Sequence, residues 1–214
     1  MGRTATFDST ELIASARDLF WQKGFSDVSV ADVECASGVG RSSIYHAFGS
    51  MRGLFDAAVD DYLTTIVTPL LTELNRDDVH PDAICSYLSD LRDAITAASA
   101  ADAGTPSGCL ILTASATPIG ADDAVHSVIE NYRAMLSDAV RRGIGAHMPD
   151  ASSSIVDHHT RLTVAAIIAA QCLARINPDE AARTLDAATS FPCAIASSGF
   201  SGVTRSVRRI LFLG

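Results

Sequence analysis

The chain has 214 residues, 48% of them apolar and 19% charged. That composition supports a substantial packed core and excludes bulk disorder. The net charge is −9, and its placement is uneven: residues 1–55 carry five Lys/Arg against six Asp/Glu, so nearly all the excess acid lies beyond them. An acidic body is repelled by a phosphate backbone, so any nucleic-acid contact has to come from the near-neutral N-terminal part.

The first element is an amphipathic helix with Leu12, Ile13, Ala16, Leu19 and Phe20 on one stripe, capped by Ser9 or Thr10 and closed by Gly24. Two short helices follow, about Val30–Ser37 with Ser29 as N-cap and about Arg41–Phe48. They are joined by Gly38-Val39-Gly40, a tight turn that a residue tolerant of positive φ permits. A helix starting near Ser50 carries Leu54, Phe55, Ala58, Val59, Tyr62 and Ile66, and Pro69 should kink or end it.

Pro81 suits the first turn of a helix through Ile84, Leu88, Leu91 and Ile95. A small-residue loop leads to a short apolar helix over Cys109–Thr117, stopped by Pro118. A long amphipathic helix spans residues 122–146, and two more, about 155–176 and 179–191, meet at Asn177-Pro178. Strand signals are lacking. The expected fold is all-α.

No apolar run reaches the roughly 18 residues of a membrane span, and Met1 to Asp8 shows no signal pattern, so no membrane association and a cytoplasmic location are expected. Five cysteines (Cys35, Cys85, Cys109, Cys172, Cys193) stand far apart with no CxxC, which favours reduced thiols over a disulfide framework or a zinc site. Packing is the expected role of Cys35 and Cys172. Asp157-His158-His159 does not converge on one ion, because adjacent helical side chains point about 100° apart. Neither a metal nor a cofactor is expected. Nucleophile–base pairs, paired carboxylates, HExxH, Walker and GxGxxG patterns are missing, so an enzyme is not expected.

The informative stretch is Val28 to Leu54, VSVADVECASGVGRSSIYHAFGSMRGL. Two short helices about a glycine turn form a helix-turn-helix, with Val30, Val33, Val39 and Ile44 where the helices touch. The second helix then presents Arg41, Ser42, Ser43, Tyr45 and His46 outward, a hydrogen-bonding face that fits a DNA major groove. The alternative is an ordinary pair of packed helices in an α-bundle.

Lys23-Gly24-Phe25, Val30-x-x-Val33, Gly38-Val39, Ser43-Ile44-Tyr45-x-x-Phe48 and Leu54 together resemble the DNA-binding domain of the tetracycline-repressor (TetR) family over about the first 55 residues. The resemblance implies a three-helix DNA-binding domain in residues 1–50 and a helical effector-binding and dimerisation domain in 51–198. Residues 199–214 would form a tail of unassigned structure, membrane-touching, docked or disordered. It implies a repressor released from a near-palindromic double-stranded DNA operator by a small-molecule effector, acting as a homodimer through its last two long helices.

By the same resemblance Arg41 and Ser42 stand at the base-reading end of the recognition helix, Ser43 and Tyr45 hold phosphates, and Ser29 caps the preceding helix beside the DNA backbone. The effector pocket would draw on Tyr62, Ile66, Leu91, Cys109, Ile129 and Tyr132. Three positions depart from the family pattern. The histidine stands at His46, leaving Ala47 where the family has it; Met51 replaces a phosphate-reaching lysine, for which Arg52 is the substitute; and Glu34 adds an acid. These departures keep open a binding or scaffold protein with a weakened head. Cys109, at the start of a short helix after Gly108, is either a reactive thiol, as in some relatives, or an inert buried one.

Overall fold

The computed structural model describes residues 9–101 and 105–193, with side chains to residue 189. Among them ten helices appear: α1 Ser9–Lys23, α2 Val30–Ser37, α3 Arg41–Phe48, α4 Met51–Tyr62, α5 Thr68–Leu70, α6 Ala83–Ala100, α7 Leu110–Ser115, α8 Asp123–His147, α9 Ser153–Leu173 and α10 Pro178–Cys193. No strand occurs among the described residues, so the fold is all-α. The proposed tail at 199–214 lies outside the described residues.

Helices α1 to α3 form the head around Leu12, Ala16, Phe20, Val30, Val33 and Ile44, all buried. Phe20 and Phe25 lay their rings against Phe55 of α4, at centroid distances of 5.3 and 5.1 Å in edge-on geometry. The favoured offset of ring quadrupoles thus ties the head to α4. Local chemistry sets the element ends. Ser29 accepts the Asp32 N–H while the Asp32 carboxylate accepts the Ser29 N–H, a reciprocal capping box. Gly38 ends α2 at φ 69, a left-handed conformation that a side chain would oppose. Gly53 is required by contact: a Cβ there would stand 2.2 Å from the Phe48 carbonyl oxygen, so only glycine lets α4 start against the end of α3.

The Pro69 expectation is met in a particular way. Proline has no N–H, so the carbonyl four residues earlier loses its donor. The ladder shifts over Leu63–Val67 to a π-helical turn, where both the Thr68 N–H and the Thr68 hydroxyl reach the Leu63 carbonyl. The helical path ends at Leu70. Beyond it α10 lies on α6 and α9, while α8 lies on α9 and α6. The buried face of α8 (Val125, Tyr132, Leu136, Ala139, Val140, Ile144) follows helical spacing and faces this bundle.

The head is fastened to the body at several points. Arg17 of α1 reaches Asp61 of α4 at 2.8 Å, with both side chains mostly shielded. The Trp21 indole N–H donates to the Gly108 carbonyl at 3.2 Å. Arg175, just past α9, donates to the carbonyls of Trp21 and Gln22.

The cysteines correct the sequence-based expectation. Cys85 is held in a disulfide rather than reduced, because spacing along a chain does not report which cysteines a fold brings within the approach of about 4.4–6.8 Å between Cα atoms that a disulfide needs. Cys35 is exposed rather than packed, and Cys172 is exposed on α9, one of the helices expected at the subunit interface. Cys35 stands about 200° around α2 from Val33, on the solvent face.

Candidate nucleic-acid interface

Burying Ile44 fixes the rotation of α3, and one consequence follows around the whole helix. Arg41, Ser42, Ser43, Tyr45 and His46 are all exposed, with Tyr45 39% accessible despite its size. A short helix thus offers a guanidinium, two hydroxyls, a phenol and an imidazole on one open face. These groups suit phosphate oxygens and base edges.

The charges of the head sharpen the picture. Lys23 pairs with Asp32 at 3.1 Å, and Arg17 with Asp61 and Asp18. Arg52 places Nε 2.8 Å from Asp56 and its terminal nitrogen 2.9 Å from Asp122. Arg41 has no carboxylate partner among the described residues. Of the head's described cations, it is the one whose guanidinium or ammonium pairs with no acid among the described residues, and it stands on the first turn of α3.

Glu34 has a role that its position in the sequence does not announce. Its carboxylate accepts the backbone N–H of Arg41 at 2.6 Å. Gly40, the N-cap of α3, has no side chain with which to do this, so a residue of α2 caps α3 across the turn. The same carboxylate occupies the helix N-terminus, a position that attracts phosphate.

Ser29 is exposed, but its hydroxyl is engaged with Asp32. Asp32 is held well below the usual carboxylate range, first by the Ser29 hydroxyl, then by the Ser29 N–H and Lys23. Arg52 is locked between Asp56 of α4 and Asp122 at the N-terminus of α8. Asp122 caps α8 by accepting the N–H groups of Ala124 and Val125, at 3.0 and 3.2 Å. Arg52, with help from the Val125 N–H, lowers the Asp122 pKa to about 2. Arg52 can reach a phosphate only by leaving that clamp.

The residues expected in an effector pocket separate into two places. Tyr62, Cys109 and Tyr132 are buried together, with the Cys109 thiol donating to the Tyr132 phenol oxygen at 3.6 Å. Burial pushes the thiol pKa up, and likewise both phenols. The neutral thiol is therefore favoured, and thiolate chemistry is suppressed. Ile66 and Leu91 are buried core residues. Ile129 alone of the six lines a cavity of about 130 Å³ between α4, α7 and α8, walled by Phe55, Val59, Ala114, Val125 and Val128. Among the described residues no cluster could hold a metal ion, and no helix is long and apolar enough to cross a membrane.

Comparison with known proteins fits this arrangement. Residues 12–58 match the model of bacterial regulatory proteins of the tetR family. The HTH-type transcriptional repressor BdcR of Escherichia coli (strain K12) is 38% identical over 111 residues, 52% of this chain and 54% of BdcR. The HTH-type transcriptional repressor ComR of the same strain is 28% identical over 112 residues, 52% of this chain and 51% of ComR. The chain thus spans about half the length of these two relatives. A cysteine mutant of the TetR family transcriptional regulator CifR, solved in complex with 26-bp double-strand operator DNA, superposes with a TM-score of 0.71 at 21% identity. That likeness covers 87% of this chain and 97% of CifR, and it concerns the fold. A helix-turn-helix head that matches the tetR family model over residues 12–58 thus stands on a body that shares the fold of solved TetR-family regulators.

Proposed function

We propose that the protein is a DNA-binding transcriptional repressor that reads a near-palindromic operator as a homodimer and is released by a small molecule. The observation that carries this reading is the open face of α3, with Arg41 unpaired beside Ser42, Ser43, Tyr45 and His46. BdcR and ComR are named as repressors and CifR was solved on operator DNA, which supports the same reading. Arg41 and Ser42 meet base edges. Ser43, Tyr45 and His46 hold the phosphate backbone, and Ser29 caps α2 beside it. Arg52 adds a phosphate contact once it leaves Asp122.

The second subunit docks on α9. Ile155 and Leu162 are 46% and 50% exposed, and with the exposed His158, Ala165, Ala169 and Cys172 they follow one stripe of α9, while Ile176, 81% exposed, stands just past its end. A largely apolar, small-residue stripe left in water suits close packing against its own copy, with α10 beside it. Two heads so paired would address successive major grooves about 34–36 Å apart.

Release follows from linkage, since a ligand that binds the body better in one head spacing shifts the population away from the DNA-competent form. Helix α4 is the lever. It carries Phe55 into the head core, lines the body cavity with Val59, and holds Arg52 against Asp122.

Binding of the purified protein to the duplex upstream of its own coding region, measured as salt is raised, tests the reading. A repressor loses affinity steeply with salt. Absence of binding at low salt, or binding that salt does not weaken, would favour a scaffold protein whose head no longer grips DNA.

A further inference from the structure

The cavity between α4, α7 and α8 has a chemical character of its own. Its walls are apolar, with Phe55 and Val59 on one side and Val125, Val128 and Ile129 on another, and two carboxylates, Asp56 and Asp60, stand on its lining. The two acids lie one turn apart on α4 and therefore share a face. Asp60 has no cationic partner among the described residues. Asp56 is held by Arg52 at 2.8 Å, and Arg52 also holds Asp122 at the start of α8. The volume of about 130 Å³ is close to that of an engineered apolar cavity of about 150 Å³ that takes benzene.

We propose that this cleft binds a small hydrophobic amine, with one ring between the three helices and the ammonium on Asp60 and Asp56, where it competes with Arg52. The inference rests on the regulator reading for its consequence, because Arg52 and Asp122 tie the start of α4 to α8. Once the ammonium takes up Asp56, the guanidinium loses one of its two anchors and the clamp between α4 and α8 weakens. A neutral ring of the same shape fills the walls but leaves both carboxylates with water and Arg52. An anionic ring meets two like charges at the mouth. The cleft therefore selects by charge as well as by size.

Titration calorimetry of the full chain with benzylamine and with benzyl alcohol tests this. The amine should bind at least tenfold more tightly than the alcohol. Asp60→Asn, a substitution at an exposed position, should remove most of that preference. Arg52→Gln should tighten amine binding several-fold by removing the competitor, and Val128→Phe should abolish binding of both probes by filling the cavity. Equal affinity for amine and alcohol, or an undiminished preference in Asp60→Asn, would overturn the proposal. An unchanged amine affinity in Arg52→Gln would overturn the competition. DNA binding by the same preparation without amine separates the two levels: a chain that binds DNA and shows no amine preference refutes the ligand class alone, and one that selects the amine but never binds DNA refutes the regulator reading alone.

Discussion

Helices α3 and α9 both leave a face open to solvent, and the two faces could hardly differ more. On α3 the open side carries Arg41, Ser42, Ser43, Tyr45 and His46. On α9 it carries Ile155, Leu162, Ala165, Ala169 and Cys172, with the polar His158 on the same stripe. The first offers donors and one unneutralised charge at little cost, since each group is hydrated while it waits. The second keeps apolar surface in water at a cost of roughly 25 cal/mol per Å², which association with another apolar face would recover. The contrast shows that an open face is informative only through its chemistry: one asks for phosphate and base edges, the other for a copy of itself.

The largest expected effect comes from breaking the apolar face. Leu162→Glu places a charge in the middle of the α9 stripe, so the chain should sediment as a monomer. Operator affinity should fall by about 10²–10⁴-fold as the gain from holding two heads together is lost. A variant that stays dimeric would show that α9 is not the interface.

Arg41→Ala addresses the polar face. Loss of one bidentate base contact should cost about 1–3 kcal/mol and relax the preference at a single base position in each half-site. Uniform weakening across all sequences would instead make Arg41 a phosphate contact.

Glu34→Gln works in the opposite sense. It retains an acceptor for the Arg41 N–H but removes the negative charge from the N-terminus of α3. Operator affinity should rise by about two- to fivefold, the range of a single charge at a helix end of about 0.3–1 kcal/mol. The thermal midpoint should drop slightly. Unchanged affinity would mean that no phosphate approaches that end of the helix.

The smallest effect concerns the clamp between α4 and α8. Because the folded Asp122 titrates at about 2 rather than its ordinary 3.8, the unfolded chain takes up that proton first as pH falls. The stabilisation is complete above about pH 4 and disappears as pH falls towards 2. In urea unfolding across that window, Asp122→Asn should give a flatter dependence than the parent, from a lower starting value. Parallel curves would mean that the Arg52 pair adds nothing to stability.

The polar face was legible in the sequence because it is written locally. Burial of Val30, Val33 and Ile44 at helical spacing, with Gly38 between the helices, fixes which side chains of α3 point out. The all-α order of elements followed from periodicity and from Pro and Gly punctuation in the same way. What was not legible depends on distant pairings. Arg52 and Asp122 are far apart in the chain and meet only because α4 lies beside the start of α8. Glu34 reaches Arg41 across a turn whose path sets the 2.6 Å contact. The cavity draws on three separate helices, and the spacing of Asp56 and Asp60 along α4 does not announce it. Cys35 was misread for a related reason: its exposure depends on the side of α2 that packs, which the apolar character of cysteine does not report.

Selection from a random pool of duplex DNA tests the central claim, that the outward face of α3 grips the double helix, most directly. The recovered sequences should share a near-palindrome whose half-sites lie about one helical turn, 10–10.5 bp, apart centre to centre. Recovery of no common sequence by a chain that is folded and dimeric would contradict it.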